Sequence, residues 1–224
     1  MEIHKIVTFG CSWTYGDELG NDEYRNKHVW GNLIANHNGW EFENHGFPGA
    51  SLKSIRDSII WYVTNNDVSD TLFVVGLTSP ERQSWFNNNH ECADDDPPWM
   101  QHIHSIWMID NEKEYSELWQ SALKSFIIDQ QCRNWVVNNF NETVLLIDGI
   151  SKIYNVPIIQ VNMFDEVLEG VAPESLYMPG YNFGELLDDT KQDVWKPGGH
   201  PNELGHQIIA NKLISYIDSA ILTK

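Results

Sequence analysis

Hydrophobic and polar positions along the chain follow two periods, and the two alternate. Ile6 to Phe9 is an apolar, β-branched and aromatic run, the pattern of a buried strand, here expected over about Ile3–Phe9. Val29–Ala35 has helical spacing, with Trp30, Leu33 and Ile34 on one face. Trp40–Asn44 alternates and predicts a second strand. Leu52 to about Val63 predicts a helix with Ile55, Ile59 and Tyr62 inward and Ser51 as its cap. Thr71–Leu77 is continuously apolar, as a central parallel strand would be. Two helices are expected next, Ser116 to about Asn138 and about Glu142 to Tyr154, then a strand over Val156–Asn162. The last helix begins near Pro201 and carries Leu204, Ile208, Ile209, Leu213 and Ile217 inward.

Strands alternating with helices predict an α/β fold in three layers, α/β/α, around a central parallel sheet. Four strands are legible. Asp17–His28 reads as a polar loop, Met163–Gly199 as loop-rich, and residues 83–115 as an irregular insertion over one end of the sheet. The 224 residues are expected to form a single domain, 1–224.

Composition narrows the classes. The net charge of −18 argues against nucleic acid or an anionic membrane as partner. No apolar run approaches the roughly 18 residues of a membrane span. Met1-Glu2-Ile3-His4-Lys5 leads straight into a strand, so no signal peptide is expected and a cytoplasmic location is. Cys11, Cys92 and Cys132 are odd in number and unpatterned, which suits reduced thiols.

Two places carry candidate chemistry. Ile6–Phe9 ends abruptly in Gly10-Cys11-Ser12, which puts Ser12 just past the carboxyl end of a strand, where ligand sites of open α/β sheets gather. The plainer reading of Ser12 is a helix cap or turn residue. Near the other end, Gly198-Gly199-His200-Pro201 precedes the final helix. A strand-to-serine turn at one end and a His-Pro before the last helix at the other resemble the SGNH hydrolases, the GDSL-like esterases.

The resemblance implies a flavodoxin-like sheet and acyl transfer by a serine nucleophile. It implies Ser12 as nucleophile, His200 as base, and the N–H groups of Ser12 and Gly49 as oxyanion donors, with Gly46 second to Gly49. At the family's third site, Gly-x-Asn-Asp, this chain reads Gly76-Leu77-Thr78-Ser79, so Thr78 stands where the family has its Asn donor. The family's acid, three residues before the histidine, is here Pro197. Asp193 is the nearest acid upstream, Asp188 and Asp189 are fallbacks, and a backbone carbonyl would leave a Ser–His dyad. His206 is read as packing or capping and Cys11 as an inert buried thiol. His90, Cys92, Asp94, His102 and His104 match no standard zinc spacing, so neither metal nor cofactor is expected.

The expected substrate is a short-chain ester, such as an acetyl ester, borne by a small molecule or a glycan. Trp85, Trp99 and Trp107 suit carbohydrate stacking better than a lipid groove. Short SGNH-like proteins occur in bacteria and their phages, and the competing expectation is a non-enzymatic binding or virion-associated protein of the same fold.

Overall fold

In the computed structural model, residues 2–82, 133–164, 176–177 and 182–220 are described. The chain enters through β1 (Lys5–Gly10), buried along its length beyond Lys5. It continues through α1 (Ser12–Tyr15), α2 (Asp22–His28), α3 (Trp30–Asn38), β2 (Glu41–Gly46), α4 (Leu52–Asn65) and β3 (Thr71–Leu77). Then follow α5 (Arg133–Tyr154), β4 (Ile158–Asn162), β5 (Leu176–Tyr177), α6 (Phe183–Asp189) and α7 (Glu203–Ala220).

The strands form one sheet in the order β2-β1-β3-β4-β5, and every pairing is parallel. Parallel neighbours need crossover connections, and right-handed crossovers place helices on both faces. α2 and α3 pack with α7 on one side, while α4 packs with α5 on the other. The α/β class expected from the alternation is therefore the observed one. β1 leads outward to β2, whereas β3 leads the other way to β4. The strand order reverses between β1 and β3, and their carboxyl ends open the crevice where such sheets bind ligands.

Several elements depart from the sequence reading. The fifth strand exists but is two residues long, pairing Gln160 with Leu176 and Val161 with Tyr177. A run that short has no legible period. Asp22–His28, expected as loop, is helical. The Asn21 side chain accepts from the Tyr24 N–H, and none of its residues is buried, so no apolar stripe marked it. α6 was likewise hidden in the loop-rich stretch and is capped by Asn182.

The break expected between two helices near residues 139–141 is absent. α5 runs unbroken from Arg133 to Tyr154, because Val136, Phe140, Val144 and Ile147 bury one continuous face across it. That burial overrides the weak helical preference of Asn138, Asn139 and Asn141. The start expected at Ser116 and the whole 83–115 insertion lie outside the described residues. The final helix starts two residues later than expected, with Asn202 Oδ1 accepting from the N–H groups of Leu204 and Gly205. Among the described residues, no helix is long and apolar enough to cross a membrane.

Candidate active site

Three strands end level. Gly10 of β1 pairs with Gly46 of β2, and Phe9 pairs with Val75 of β3, which sets Gly76 beside Gly10. The three glycines have one physical cause. The turn of α1 lies directly on these strand ends, with Thr14 pressed among them. A Cβ on Gly10 would come 2.1 Å from Thr14 Oγ1, and one on Gly76 would come 2.5 Å from the same atom. On Gly46 it would meet the Tyr15 nitrogen at 2.6 Å. Gly46 and Gly76 are thus packing glycines that let the serine-bearing turn sit down on the sheet.

Ser12 opens α1, is 6% exposed, and has no intrahelical acceptor for its N–H. Gly49 lies beyond β2 in the Phe47-Pro48-Gly49-Ala50 turn, where Ala50 N–H donates to Phe47 O at 3.3 Å. Its φ of 76° and the preceding proline are what a type II turn demands. Among the described residues its N–H, too, makes no backbone hydrogen bond. Thr78 is buried, and among the described residues its Oγ1 has no hydrogen-bond partner. Cys11 is fully buried.

His200 reaches the same corner from the far end of the chain. A bridge between Trp195 and Pro201, with Lys196 N–H donating to His200 O at 2.7 Å, folds residues 195–201 into a tight loop. That loop packs on the residue after Ser12: the Trp195 and Trp13 rings lie 5.1 Å apart between centroids. The Phe164 ring lies tilted against Trp13 at 4.7 Å between centroids, and the Arg82 guanidinium lies over Phe164. Together they form an aromatic wall beside the serine. The wall expected from Trp85, Trp99 and Trp107 falls outside the described residues, as do His90, Cys92, Asp94, His102 and His104.

The acid at His200 is not the expected one. His200 Nδ1 lies 2.6 Å from Glu18 Oε2, and Nε2 lies 3.8 Å from Asp17 Oδ2. Asp193 is exposed and makes no ion pair with the ring. Its contribution is a backbone carbonyl that accepts from Asn202 Nδ2 at 2.8 Å. The five residues of bridged loop between Val194 and His200 separate the imidazole from it. Asp188 is occupied by Trp195 Nε1 at 2.9 Å, and Asp189 is exposed.

Glu18 is held from several directions. α1 ends at Gly16, in the left-handed region at φ 85°, and the Asp17 N–H returns to Ser12 O at 3.0 Å. Glu18 follows at φ 64°, with its N–H on Asp17 Oδ1, and Leu19 anchors the loop in the core. Its Oε1 accepts from Gly198 N–H at 3.1 Å. The hydrogen bond with His200, then that from Gly198, hold the Glu18 carboxyl below its ordinary pKa. An ionised carboxylate can only accept, so Nδ1 donates to Glu18, and Nε2 is the nitrogen left to face a serine. Among the described residues, no hydrogen bond joins Ser12 Oγ to that nitrogen.

His206 is fully buried and accepts at Nδ1 from the Trp30 N–H at 3.3 Å. It caps α3 from α7, rather than its own helix. Burial pushes its pKa down to about 3.

No protein-family model and no curated protein sequence matches the chain. Solved structures do resemble it across nearly its whole length, and they include GDSL lipolytic proteins and family two carbohydrate esterases. Protein YXIM of Bacillus subtilis matches with a TM-score of 0.50 at 9% identity, over 97% of this chain and 56% of that one. Esterase EstA of a Pseudoalteromonas species matches at 0.49 and 11%, over 96% of this chain and 97% of its own. A GDSL-family lipolytic protein of Veillonella parvula matches at 0.44 and 14%, over 96% and 99%. At 9–15% identity the likeness is one of fold alone.

Proposed function

We propose that the protein is a serine hydrolase of short-chain, notably acetyl, esters, with a glycan or small-molecule ester as substrate. One observation carries this reading: the serine turn after β1 and the histidine loop before α7 pack on each other at the strand-order reversal, with Nδ1 of His200 engaged and Nε2 left open.

Ser12 Oγ attacks the ester carbonyl while its proton passes to His200 Nε2. The carbonyl electron pair moves onto oxygen, facing the uncommitted N–H groups of Ser12 and Gly49 and the unpartnered hydroxyl of Thr78. Collapse of the intermediate breaks the ester C–O bond, and the imidazolium returns its proton to the departing alcohol. A water then repeats the sequence on the acyl-Ser12 ester, giving the free acid and the resting serine.

Two features favour the competing reading, a binding protein of hydrolase fold. Ser12 and His200 share no hydrogen bond, and Thr78-Ser79 replaces Asn-Asp. Loss of one oxyanion donor costs roughly 2.7–4 kcal/mol in a characterised serine hydrolase. The two readings part in one experiment, p-nitrophenyl acetate turnover alongside fluorophosphonate labelling. A hydrolase turns over and labels, and loses both in Ser12→Ala. Background rates with no label at Ser12 leave the binding protein.

A further inference from the structure

We propose that Glu18 is the positioning acid for His200, so that the nucleophile's own loop, rather than the histidine's, completes the triad. The proposal rests on the hydrolase reading above. It replaces the acid expected just upstream of the histidine with one that is distant in sequence from its partner.

Three independent features of Glu18 converge. The first is contact: its Oε2 meets His200 Nδ1 at 2.6 Å, the nitrogen an orienting acid must take if Nε2 is to face the serine. The second is the second carboxylate oxygen, which accepts from Gly198 N–H at 3.1 Å, in the turn that carries the histidine. One carboxylate thereby ties the serine loop to the histidine loop. The third is conformation. Glu18 has φ 64°, a left-handed region that L-residues with long side chains avoid. Strain of this kind persists where surrounding structure enforces it, and it gathers at functional sites. Here Gly16 and buried Leu19 enforce it from either side.

Gly198 adds a fourth mark. A Cβ at Gly198 would lie 2.4 Å from Glu18 Oε2, 2.7 Å from its Cδ and 2.9 Å from Oε1. All three nearest atoms belong to the carboxyl group of this one side chain. The seat is bare because the carboxylate occupies it.

No proton leaves Nδ1 in this scheme. The Ser12 proton arrives at Nε2, the ring becomes an imidazolium, and the ionised Glu18 stabilises that charge while fixing the tautomer and the plane of the ring. Asp17 Oδ2, 3.8 Å from Nε2, adds a second negative charge nearby without competing for Nδ1.

The test compares wild type with Glu18→Gln, Gly198→Ala and the double variant, using p-nitrophenyl acetate and one-dimensional proton NMR. Glu18→Gln removes the charge and keeps the shape. It should lower kcat by roughly 10²- to 10⁴-fold with KM little changed, the scale seen when a triad acid becomes its amide. Gly198→Ala leaves every reacting group in place and displaces only the carboxylate, so it should lower kcat in the same sense. The double variant should be no worse than Glu18→Gln, because both changes break one link.

A downfield imidazole N–H resonance, assigned by its loss in His200→Ala, should be present in wild type and absent from both single variants. A merely structural Glu18 would not move that signal and kcat together at constant KM. Wild-type turnover that survives Glu18→Gln and Gly198→Ala unchanged overturns the positioning role alone. A wild type that neither turns over nor labels at Ser12 overturns the hydrolase reading, and the positioning role with it.

Discussion

Acid should destabilise this protein through His206 well before its carboxylates titrate. The ring is fully buried, with Nδ1 accepting the Trp30 N–H at the unfilled start of α3. A proton on Nδ1 would face that N–H head-on and would put positive charge at the positive end of a helix. Glu203 favours the charged form, while His200 and Lys196 oppose it. Burial is the largest cause, and together these lower the pKa from 6.5 to about 3.

The sign follows from the direction. The unfolded chain takes up the proton near pH 6.5 and the folded chain resists it to about 3, so folding is favoured above 6.5 and loses free energy as pH falls between the two values. At about 1.4 kcal/mol per pH unit, the loss by pH 5 is about 2 kcal/mol, and on the order of 5 kcal/mol once the folded form also titrates. The depressed carboxylates, Glu18, Glu43 and Glu203, act in the same direction but only below their unfolded value of 4.5. His45, also lowered by burial, shares the upper window.

His206→Asn separates these contributions, since Asn Oδ1 can stand where Nδ1 stands and does not titrate. Urea unfolding at pH 7 and pH 5 is the assay, read at the midpoint with the slope unchanged. Relief of the net charge of −18 on acidification is common to both proteins and cancels in the difference. Wild type should lose about 2 kcal/mol more than His206→Asn over that interval. Equal losses would refute the argument.

Two further outcomes check the site. Gly76→Ala should destabilise by roughly 1–3 kcal/mol through the clash with Thr14 Oγ1, and adding Thr14→Ala should recover much of it in the same urea titration, since among the described residues that oxygen has no hydrogen-bond partner to lose. Asp193→Asn should leave kcat on p-nitrophenyl acetate unchanged, because only its backbone carbonyl is engaged; a fall on the scale predicted for Glu18→Gln would put Asp193 back at the histidine.

The sequence alone determined what depends on neighbours along the chain. Beyond Thr71, Leu72–Leu77 has no polar position to expose, which marks an interior strand, and Thr71–Leu77 is buried throughout. The stop at Gly10-Cys11-Ser12 located the serine turn, since a strand that ends in glycine and two small residues must leave the sheet there. Surface helices without an apolar face, such as Asp22–His28, and the two-residue β5 fell outside what periodicity can reveal. The acid at His200 was decided by tertiary structure alone. Glu18 and His200 stand 182 residues apart, and nothing in the local spacing of either announces the other. They meet because β1 and α7 bring their loops to one corner of the sheet. Gly198 then leaves room for the carboxylate where a Cβ would crowd it.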